Sequence, residues 1–460
     1  VFIEIYYGVV FGILHFFLHA ETKVLEGAHC NFKAHAEVAR RAAGEGIVLL
    51  RNEDSTLPVK AAGTKVALYG ETSIDFVAGG TGSGTVNKAY NVNMRQALES
   101  AGFTVDKSIS DYYEKYVEYN DALLHLRGTE RTTRYGISKF DDPAISTEAI
   151  NLHAKNNDLA VVVLGRIAGE GSDRHMVDDF NLTAIERQLL SDVYAAYHPL
   201  GKKVVVVLNI GGVIETASWK DMTDAIVLPW SPGQEGANAV ADVITGKVNP
   251  SGKLPMTFPK HFLDHPSSAN FPFAYQNDGT PFGVAREASD EKDVDYTNYE
   301  EGISVGYRYF DTVPEKVAYP FGFGLSYTTF SYSAPTVKAS KDGSFTATVT
   351  VKNTGSCAGK EAVQLYVNAP EGGLEKPSKE LKAFAKTRNL NPGESQTLTF
   401  QVSAYDLASF NENASQWETA AGTYTVMFAA SSQDVRSKVT FKMAKPQAFP
   451  VTVGACAPVK

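Results

Sequence analysis

Two uninterrupted apolar runs rich in β-branched residues constrain the fold of this chain most strongly. They are DLAVVVLG (158–165) and KKVVVVLN (202–209). A strand that is apolar at every position is buried on both faces, which is typical of a parallel sheet with helices on either side. The segment between them, TAIERQLLSDVYAAYH (183–198), has a helical pattern, and the preceding NLT supplies a polar N-terminal cap. The two runs therefore predict parallel strands joined by a helix.

The same alternation of strand and helix continues on both sides of these runs. Further strands are predicted in IVLLRN (47–52), TKVALYG (64–70) and DAIVLPW (224–230). Further helices are predicted in AHAEVARRAAGEG, NMRQALESAGF and GANAVADVITG. This order predicts an α/β domain over residues 35–330, a layered and mostly parallel sheet with helices on both faces. Within it, residues 105–157 are expected to be an irregular excursion with helical patches, and residues 265–330 to be ordered loops and short strands.

After about residue 331 the apolar residues recur with a period of two. The stretches FTATVTVKNTGS, EAVQLYV, SQTLTFQVS and GTYTVMFAAS alternate apolar and polar positions, and NTG and NPGES supply turns. This pattern predicts an all-β immunoglobulin-like sandwich, similar to fibronectin type III modules, over residues 331–445. Residues 446–460 are expected to form a tail.

The first 34 residues have no clear role. Residues 1–20 are almost wholly apolar, with a length that suits a signal peptide or a membrane span. Glu4 and His15 interrupt the run, and no positively charged segment precedes it. A buried terminal element and the remainder of a truncated upstream region are the alternatives. Because a signal peptide is one interpretation of residues 1–20, we expect a secreted or periplasmic protein of bacterial type.

Charge and cysteine content exclude several classes of partner. The formal net charge is −9, and no basic run suggests binding to nucleic acid. The chain has three cysteines, Cys30, Cys357 and Cys456, which are too far apart for a disulfide framework or a zinc site. The charge is therefore compatible with a neutral substrate, and we expect neither a metal nor another cofactor.

The stretch GRIAGEGSDR (165–174) places Glu170 between two glycines, directly after an apolar strand. Open α/β folds bind ligands at the carboxyl edge of the sheet, where such a loop lies. A carboxyl group acts as a general acid if burial or a nearby negative charge keeps it protonated. Asp173 and Arg174 could tune its pKa, one by repulsion and the other by attraction. On this stretch alone, a turn carboxylate that binds local backbone is the favoured alternative.

A second glycine-rich stretch, GGTGSGTVN (79–87), follows the strand TKVALYG. A P-loop requires a lysine after its glycines, and the dinucleotide fingerprint requires the spacing G-x-G-x-x-G. Neither pattern is present, because Thr85 and Val86 follow the last glycine and the glycines stand at 80, 82 and 84. The stretch is better explained as a loop whose backbone amides approach a sugar or another domain.

These two stretches resemble parts of the carboxyl-terminal region of glycoside hydrolase family 3. Four further segments resemble that region in the same order: ARRAAGEGIVLLRN, VVLNIGGVIE, LPWSPGQEGANAVADVITGKVNPSGKLPMTFP and YPFGFGLSYTTF. The resemblance runs from about residue 36 to the end. It implies a β-glucosidase-like hydrolase in which a barrel supplies the nucleophilic aspartate and the α/β domain supplies the acid/base glutamate. Glu170 matches that glutamate in its Gly-Glu-Gly-x-Asp-Arg context. Asp173 and Arg174 are then expected to hold the loop, and Thr81 and Ser83 to face the sugar.

The chain departs from the family in one respect. The nucleophile of the family lies in a Ser-Asp-Trp motif, but Ser-Asp at 172–173, 191–192 and 289–290 is never followed by tryptophan. No stretch has the length or the pattern of an eight-stranded barrel. Since a retaining glycosidase needs two carboxyl groups, we expect this chain to be the acid/base-bearing part, inactive alone, with the barrel in cis or in trans. The alternative is a non-catalytic remnant that binds carbohydrate or packs against a partner.

Overall fold

The structure, a computed structural model, describes residues 31–80, 86, 88–126, 142–167, 176–269 and 299–451. The protein has two parts, an α/β part followed by a β-sandwich. Among the described residues, the α/β part contains six helices before its connection to the sandwich: α1 Phe32–Gly46, α2 Met94–Ser100, α3 Lys107–Leu126, α4 Thr147–Asn156, α5 Ala184–Tyr197 and α6 Gly236–Ile244. Its main sheet contains strands β1 Val48–Asn52, β2 Lys65–Tyr69, β3 Thr104–Val105, β4 Leu159–Arg166, β5 Lys203–Ile210 and β6 Ala225–Leu228.

The six strands form one sheet in the order β1-β6-β5-β4-β2-β3. All neighbouring pairs are parallel except β1 with β6, where β1 forms an antiparallel edge. Every residue of β4 is buried, as the apolar run predicts. The mostly parallel α/β architecture expected from the sequence is confirmed.

Helices cover both faces of the sheet. One core contains side chains of α3, α4 and α5, among them Tyr113, Ile150 and Val193. The other contains side chains of α2 and α6, among them Met94 and Val240. The described residues 105–126 and 142–157 hold more regular structure than predicted, because α3 and α4 are amphipathic helices, and part of their apolar residues, among them Ile109 and Ile150, pack against the sheet.

The residues between α6 and the second part include the predicted loops and short strands of 265–330, of which 270–298 lie outside the described ranges. Helix α7 (Tyr307–Phe310) lies here, and strands β7 (Phe258–Pro259) and β8 (Val317–Tyr319) pair antiparallel. In the described ranges, no helix has the length and apolar character required to cross a membrane; residues 1–30 lie outside those ranges.

The second part is an all-β sandwich, as predicted. Its strands are β9 Phe330–Tyr332, β10 Thr336–Ala339, β11 Phe345–Asn353, β12 Ala362–Asn368, β13 Glu380–Lys386, β14 Ser395–Val402, β15 Ser409–Asn411, β16 Gln416–Thr419, β17 Gly422–Ser431, β18 Asp434–Met443 and β19 Gln447–Pro450. The two main sheets, β10-β11-β14 with β9 and β13-β12-β17-β18, enclose an aromatic and aliphatic core. Strand β19, which lies in the predicted tail, pairs with β16.

Side chains connect the two parts along what we call the domain seam, the contacts of residues 31–327 with residues 328–451. Glu45 of α1 forms ion pairs with Lys360 and Lys386, the latter at 3.0 Å. Asp311 lies 2.7 Å from the ammonium of Lys379. The sandwich is thus held both to α1 and to the segment that follows α7.

Candidate active site

The strand order places a switch point between β2 and β4. The chain passes from β2 to β3 on one side and then builds β4, β5 and β6 on the other side of β2. Neighbouring strands at such a point send their following loops in opposite directions and leave a crevice at the carboxyl edge, where open α/β folds bind ligands. The two stretches singled out in the sequence follow these two strands. Residues 79–87 come after β2, and GRIAGEGSDR begins at Gly165 in β4.

The five predicted site residues, Thr81, Ser83, Glu170, Asp173 and Arg174, lie outside the described residues. Their roles therefore stay predictions. The structure does describe where their loops begin and end. It brings these loop ends together at the carboxyl edge of the sheet, and the geometry below concerns the residues that hold them.

Arg166, the last residue of β4, holds both ends of the loop that carries Glu170. Its guanidinium donates to both carboxylate oxygens of Glu186, at 2.6 and 2.7 Å. It also donates to the carbonyl oxygen of Asp179 at 2.8 Å and to that of Gly165 at 2.7 Å. Because Gly165 precedes the loop and Asp179 lies at its return, one side chain fixes the distance between the two ends.

This guanidinium is fully buried, so its charge depends on its partners. The side chains of Arg166 and Glu186 are 1% and 5% exposed. Burial acts to lower the pKa of Arg166, but the charge and hydrogen bonds of Glu186 raise it above the usual arginine value. Glu186 is itself fixed, since it also accepts from the backbone amide of Thr183 at 2.8 Å in a capping box that begins α5.

Two glycines allow the segments after β2 and within β4 to approach closely. A Cβ atom on Gly165 would lie 2.1 Å from Cγ2 of Thr72. Gly70 has a φ of +95°, and a Cβ there would lie 2.1 Å from the carbonyl oxygen of Val163. A side chain at either position would push the strands apart at the switch point, so glycine is required on both sides of the crevice.

Asn209, near the end of β5, joins the segment that precedes the glycine-rich loop to the loop after β6. Its side chain accepts from the amide of Val77 at 2.7 Å and donates to the carbonyl oxygens of Val77, at 2.9 Å, and Trp230, at 2.8 Å. Asn209 is fully buried, and Trp230 is half-buried and packs edge-to-face on Phe258. The amide therefore positions the backbone from which residues 79–87 continue.

The described rim of the crevice is apolar as well as polar. Val86 at the end of the glycine-rich stretch and Tyr90 just after it are 63% and 43% exposed, and Val177 beside the other loop is 61% exposed. The hydroxyl of Tyr90 donates to Glu235 at 2.5 Å, and this hydrogen bond raises the pKa of Tyr90. Among the residues that the structure describes, no group of three or more histidine, cysteine, aspartate or glutamate side chains could hold a metal ion.

Sequence reasoning missed Arg166, Glu186 and Asn209. A signal for the first was present, because an arginine at the end of an otherwise apolar strand must find a buried acceptor. The capping-box pattern of Thr183 and Glu186 indicated a glutamate near the start of α5. Nothing in the sequence connected that glutamate with Arg166. The two residues are 20 positions apart, and they come into contact only in the folded structure.

Two family models match this chain. The model of the glycosyl hydrolase family 3 C-terminal domain matches residues 47–327, and that of the fibronectin type III-like domain matches residues 361–432. The first of these ranges contains the whole sheet and the crevice. It also contains the loops that carry all five predicted site residues.

Relatives and solved structures agree with these matches. Beta-glucosidase A of Butyrivibrio fibrisolvens is 36% identical over 87% of this chain and 50% of its own length. An exo-alpha-(1->6)-L-arabinopyranosidase of Bifidobacterium longum is 33% identical over 88% of this chain and 48% of its own length. The structure of beta-glucosidase 3B from Thermotoga neapolitana in complex with glucose superposes with a TM-score of 0.79 at 41% identity, over 91% of this chain and 55% of that one. The chain spans about half the length of the curated relatives it matches.

Proposed function

This chain belongs to glycoside hydrolase family 3, and from that premise we propose that it is the acid/base-bearing part of a β-glucosidase-like exo-acting hydrolase. The reaction is hydrolysis of the O-glycosyl bond at the end of a β-linked glycoside or oligosaccharide. Glu170 is the proton donor and acceptor. The observation that carries the proposal is the attachment of its loop directly beyond β4, at the switch point of the sheet.

The role of Glu170 follows from retaining chemistry. A nucleophilic carboxylate attacks the anomeric carbon while Glu170 protonates the departing glycosidic oxygen. Glu170 then takes a proton from water as the water displaces the enzyme carboxylate. These steps require the two carboxyl groups to lie about 5–5.5 Å apart. A glutamate on a glycine-flanked loop meets this requirement only if the ends of the loop are fixed.

Arg166 and Asn209 provide that fixation in the proposed mechanism. The first holds Gly165 and Asp179 at the two ends of the Glu170 loop. The second holds Val77 before the glycine-rich loop that carries Thr81 and Ser83. Neither residue needs to touch the sugar, because each acts through the backbone of a loop. Asp173 and Arg174 complete the site by holding Glu170 within its loop.

The nucleophile in this proposal comes from a region outside these 460 residues. Ser-Asp-Trp is absent from the sequence, and the chain covers about half of its relatives. The exposed apolar side chains of Val86, Tyr90 and Val177 support a partner surface at this edge. We propose that a barrel domain, in cis or in trans, covers the crevice, and that the chain alone hydrolyses little or nothing.

The test is hydrolysis of an aryl β-glucoside by this chain, alone and mixed with a separately expressed family 3 barrel. Each mixture is repeated with Glu170→Gln, and with Glu412→Gln as a control on an exposed loop of the sandwich. We expect little release by the chain alone, and release in the mixture that Glu170→Gln lowers at least a hundredfold. Equal rates for the two variants would refute the role of Glu170. Release by the chain alone would show that it contains its own nucleophile.

The lack of Ser-Asp-Trp also favours one alternative, a non-catalytic remnant that binds carbohydrate or packs against a partner. The same mixture separates the two functions. A remnant would bind a β-glucoside or a barrel without releasing product in any combination. The choice of sugar and of the named linkage is a separate question, because a relative named as a beta-glucosidase and one named as an exo-alpha-(1->6)-L-arabinopyranosidase match this chain about equally well.

We further propose export of the protein from a bacterial-type cell, on the ground that residues 1–20 are almost wholly apolar. Cell fractionation tests this directly. Recovery of the chain in the periplasm or the medium supports export, and recovery in the cytoplasm contradicts it.

A further inference from the structure

A cavity of about 440 Å³ opens on the domain seam, away from the crevice. Segment 320–330 forms one side of it, and the other side comes from Glu361 and the turn between β17 and β18. Its volume lies in the range of small-molecule sites, roughly 300–1,000 Å³. The lining contains none of the loops that follow β2, β4, β5 or β6. A ligand here would therefore occupy a site separate from the proposed catalytic one.

The charged side chains that line this cavity are paired with one another. Lys253 lies 3.6 Å from the carboxylate of Glu361 and donates to the carbonyl oxygen of Gly324 at 2.8 Å. Arg436 lies 2.6 Å from the carboxylate of Asp434. The two cations and two anions cancel. A charged ligand would leave one charge without a partner next to the poorly exposed Lys253 and Glu361, whose side chains are 15% and 7% exposed.

The same walls combine apolar surface with fixed hydrogen-bonding groups. Phe323, Leu325 and Phe330 supply the apolar part. Glu361 is held in place, because Tyr332 donates to its carboxylate at 2.8 Å and its own amide donates to Thr387 at 3.0 Å. A pyranose ring is complementary to these walls. Its apolar face of C–H groups matches the aromatic side chains, and its hydroxyl groups donate and accept hydrogen bonds.

We propose that this cavity binds a neutral sugar ring, a monosaccharide or the terminal unit of an oligosaccharide. The ring would lie against Phe323 and Phe330, and its hydroxyl groups would contact Glu361, Lys253 and Arg436. The site would hold carbohydrate beside the enzyme without cleaving it, and it does not depend on catalysis by this chain. Because both parts of the protein line the cavity, the sugar would also stabilise the domain seam.

Calorimetric titration of the full chain with glucose and with cellobiose tests the proposal, in a Glu170→Ala background that prevents turnover. Arg436→Met removes a partly exposed cavity donor, so the fold should persist. Arg388→Met is the matched control, because Arg388 forms a similar exposed pair with Glu394 at 2.9 Å in the same sandwich and does not line the cavity. We expect Arg436→Met to weaken glucose binding roughly tenfold and Arg388→Met to leave it unchanged.

The charged probes glucuronate and glucosamine should bind more weakly than glucose. Glu361→Gln, which keeps the size of the side chain and an acceptor for Tyr332, provides a second variant and should also weaken glucose binding. Absence of glucose binding by the parent chain would overturn the proposal. So would equal glucose affinity in Arg436→Met and Arg388→Met, since the sugar would then bind elsewhere. Tighter binding of either charged probe would overturn the assignment to a neutral ligand.

Discussion

Charged side chains hold both the carboxyl edge of the sheet and the domain seam, but their burial differs. At the edge, Arg166 and Glu186 are 1% and 5% exposed. At the seam, Glu45, Lys360 and Lys386 are between 31% and 35% exposed. A buried charge that loses its partner finds no water to replace it, whereas an exposed one does. The comparison teaches that the loop after β4 depends on one buried ion pair, whereas the Glu45 cluster at the seam consists of exposed ion pairs that water can replace.

The largest effect is expected for Arg166→Met, which leaves the carboxylate of Glu186 buried without its cation. We expect the free energy of unfolding to fall by about 4 kcal/mol, measured by urea denaturation. Arg187→Met is the control, because Arg187 lies on the same helix as Glu186 and its side chain is 41% exposed. The double variant Arg166→Met, Glu186→Gln should recover part of the loss. A loss equal to that of the control would break the comparison.

Lys379→Met tests whether burial, rather than position in the molecule, determines how much stability is lost when an ion pair is broken. Lys379 and Asp311 form a seam pair whose side chains are 14% and 2% exposed. Burial raises the pKa of Asp311 above its usual value even though the ammonium of Lys379 acts to lower it. Without the ammonium, we expect a loss of about 3 kcal/mol at pH 8. This would place a seam contact close to the edge contact in strength.

The pH dependence of this variant follows from the raised pKa of Asp311. When the pKa of a carboxyl group is higher in the folded state than in the unfolded state, the protein loses stability as the pH rises through the folded-state pKa. The loss caused by Lys379→Met should therefore be smaller at pH 5 than at pH 8. Thermal unfolding at both pH values measures it. An effect that does not depend on pH, or one that Asp311→Asn fails to relieve, would contradict this account.

At the carboxyl edge of the sheet, Asn209→Ala should lower the free energy of unfolding by an intermediate amount. It leaves the buried amide and carbonyl of Val77 and the carbonyl of Trp230 without their partner, and we expect a loss of about 2 kcal/mol. In the barrel mixture described above, the variant should also lower glucoside hydrolysis more than Asn238→Ala does. Asn238 lies on α6, and its side-chain amide donates to Glu235, three residues before it. Unchanged hydrolysis would show that the glycine-rich loop does not need Asn209.

The sequence predicted the central strands well because burial on both faces leaves a direct mark on composition. All eight positions of β4 are apolar or glycine except Arg166, and all eight are buried. Strand β1 was predicted as a strand, but its antiparallel direction was not, since direction depends on where the chain enters the sheet. Helices α3 and α4 were underestimated because their apolar stripe is short relative to their polar surface.

The site divides in the same way. Local signals, a glutamate between glycines and a polar cap before a helix, identified the loop and the start of α5. Contacts between distant residues left no such mark. The carboxylate of Glu186 reaches Arg166 across 20 residues, and Asn209 reaches Val77 across 132. Sequence reasoning could therefore name the residues proposed to act on the sugar, but it could not name those that position them.

The smallest effect is expected for Glu45→Gln at the seam. Burial acts to raise the pKa of Glu45, but its hydrogen bonds with Lys360 and Lys386 lower it below the usual 4.5. A carboxyl group with a lowered folded pKa contributes stability above the unfolded pKa and loses it as the pH falls through the folded value. At pH 7 we expect a loss of about 0.5–1 kcal/mol, because all three side chains are about one-third exposed. Urea denaturation should show the difference from the parent chain shrinking below about pH 4, where Glu37→Gln on the same helix serves as the control. A loss as large as that of Lys379→Met would mean that the exposed pairs stabilise the seam as strongly as the buried one does.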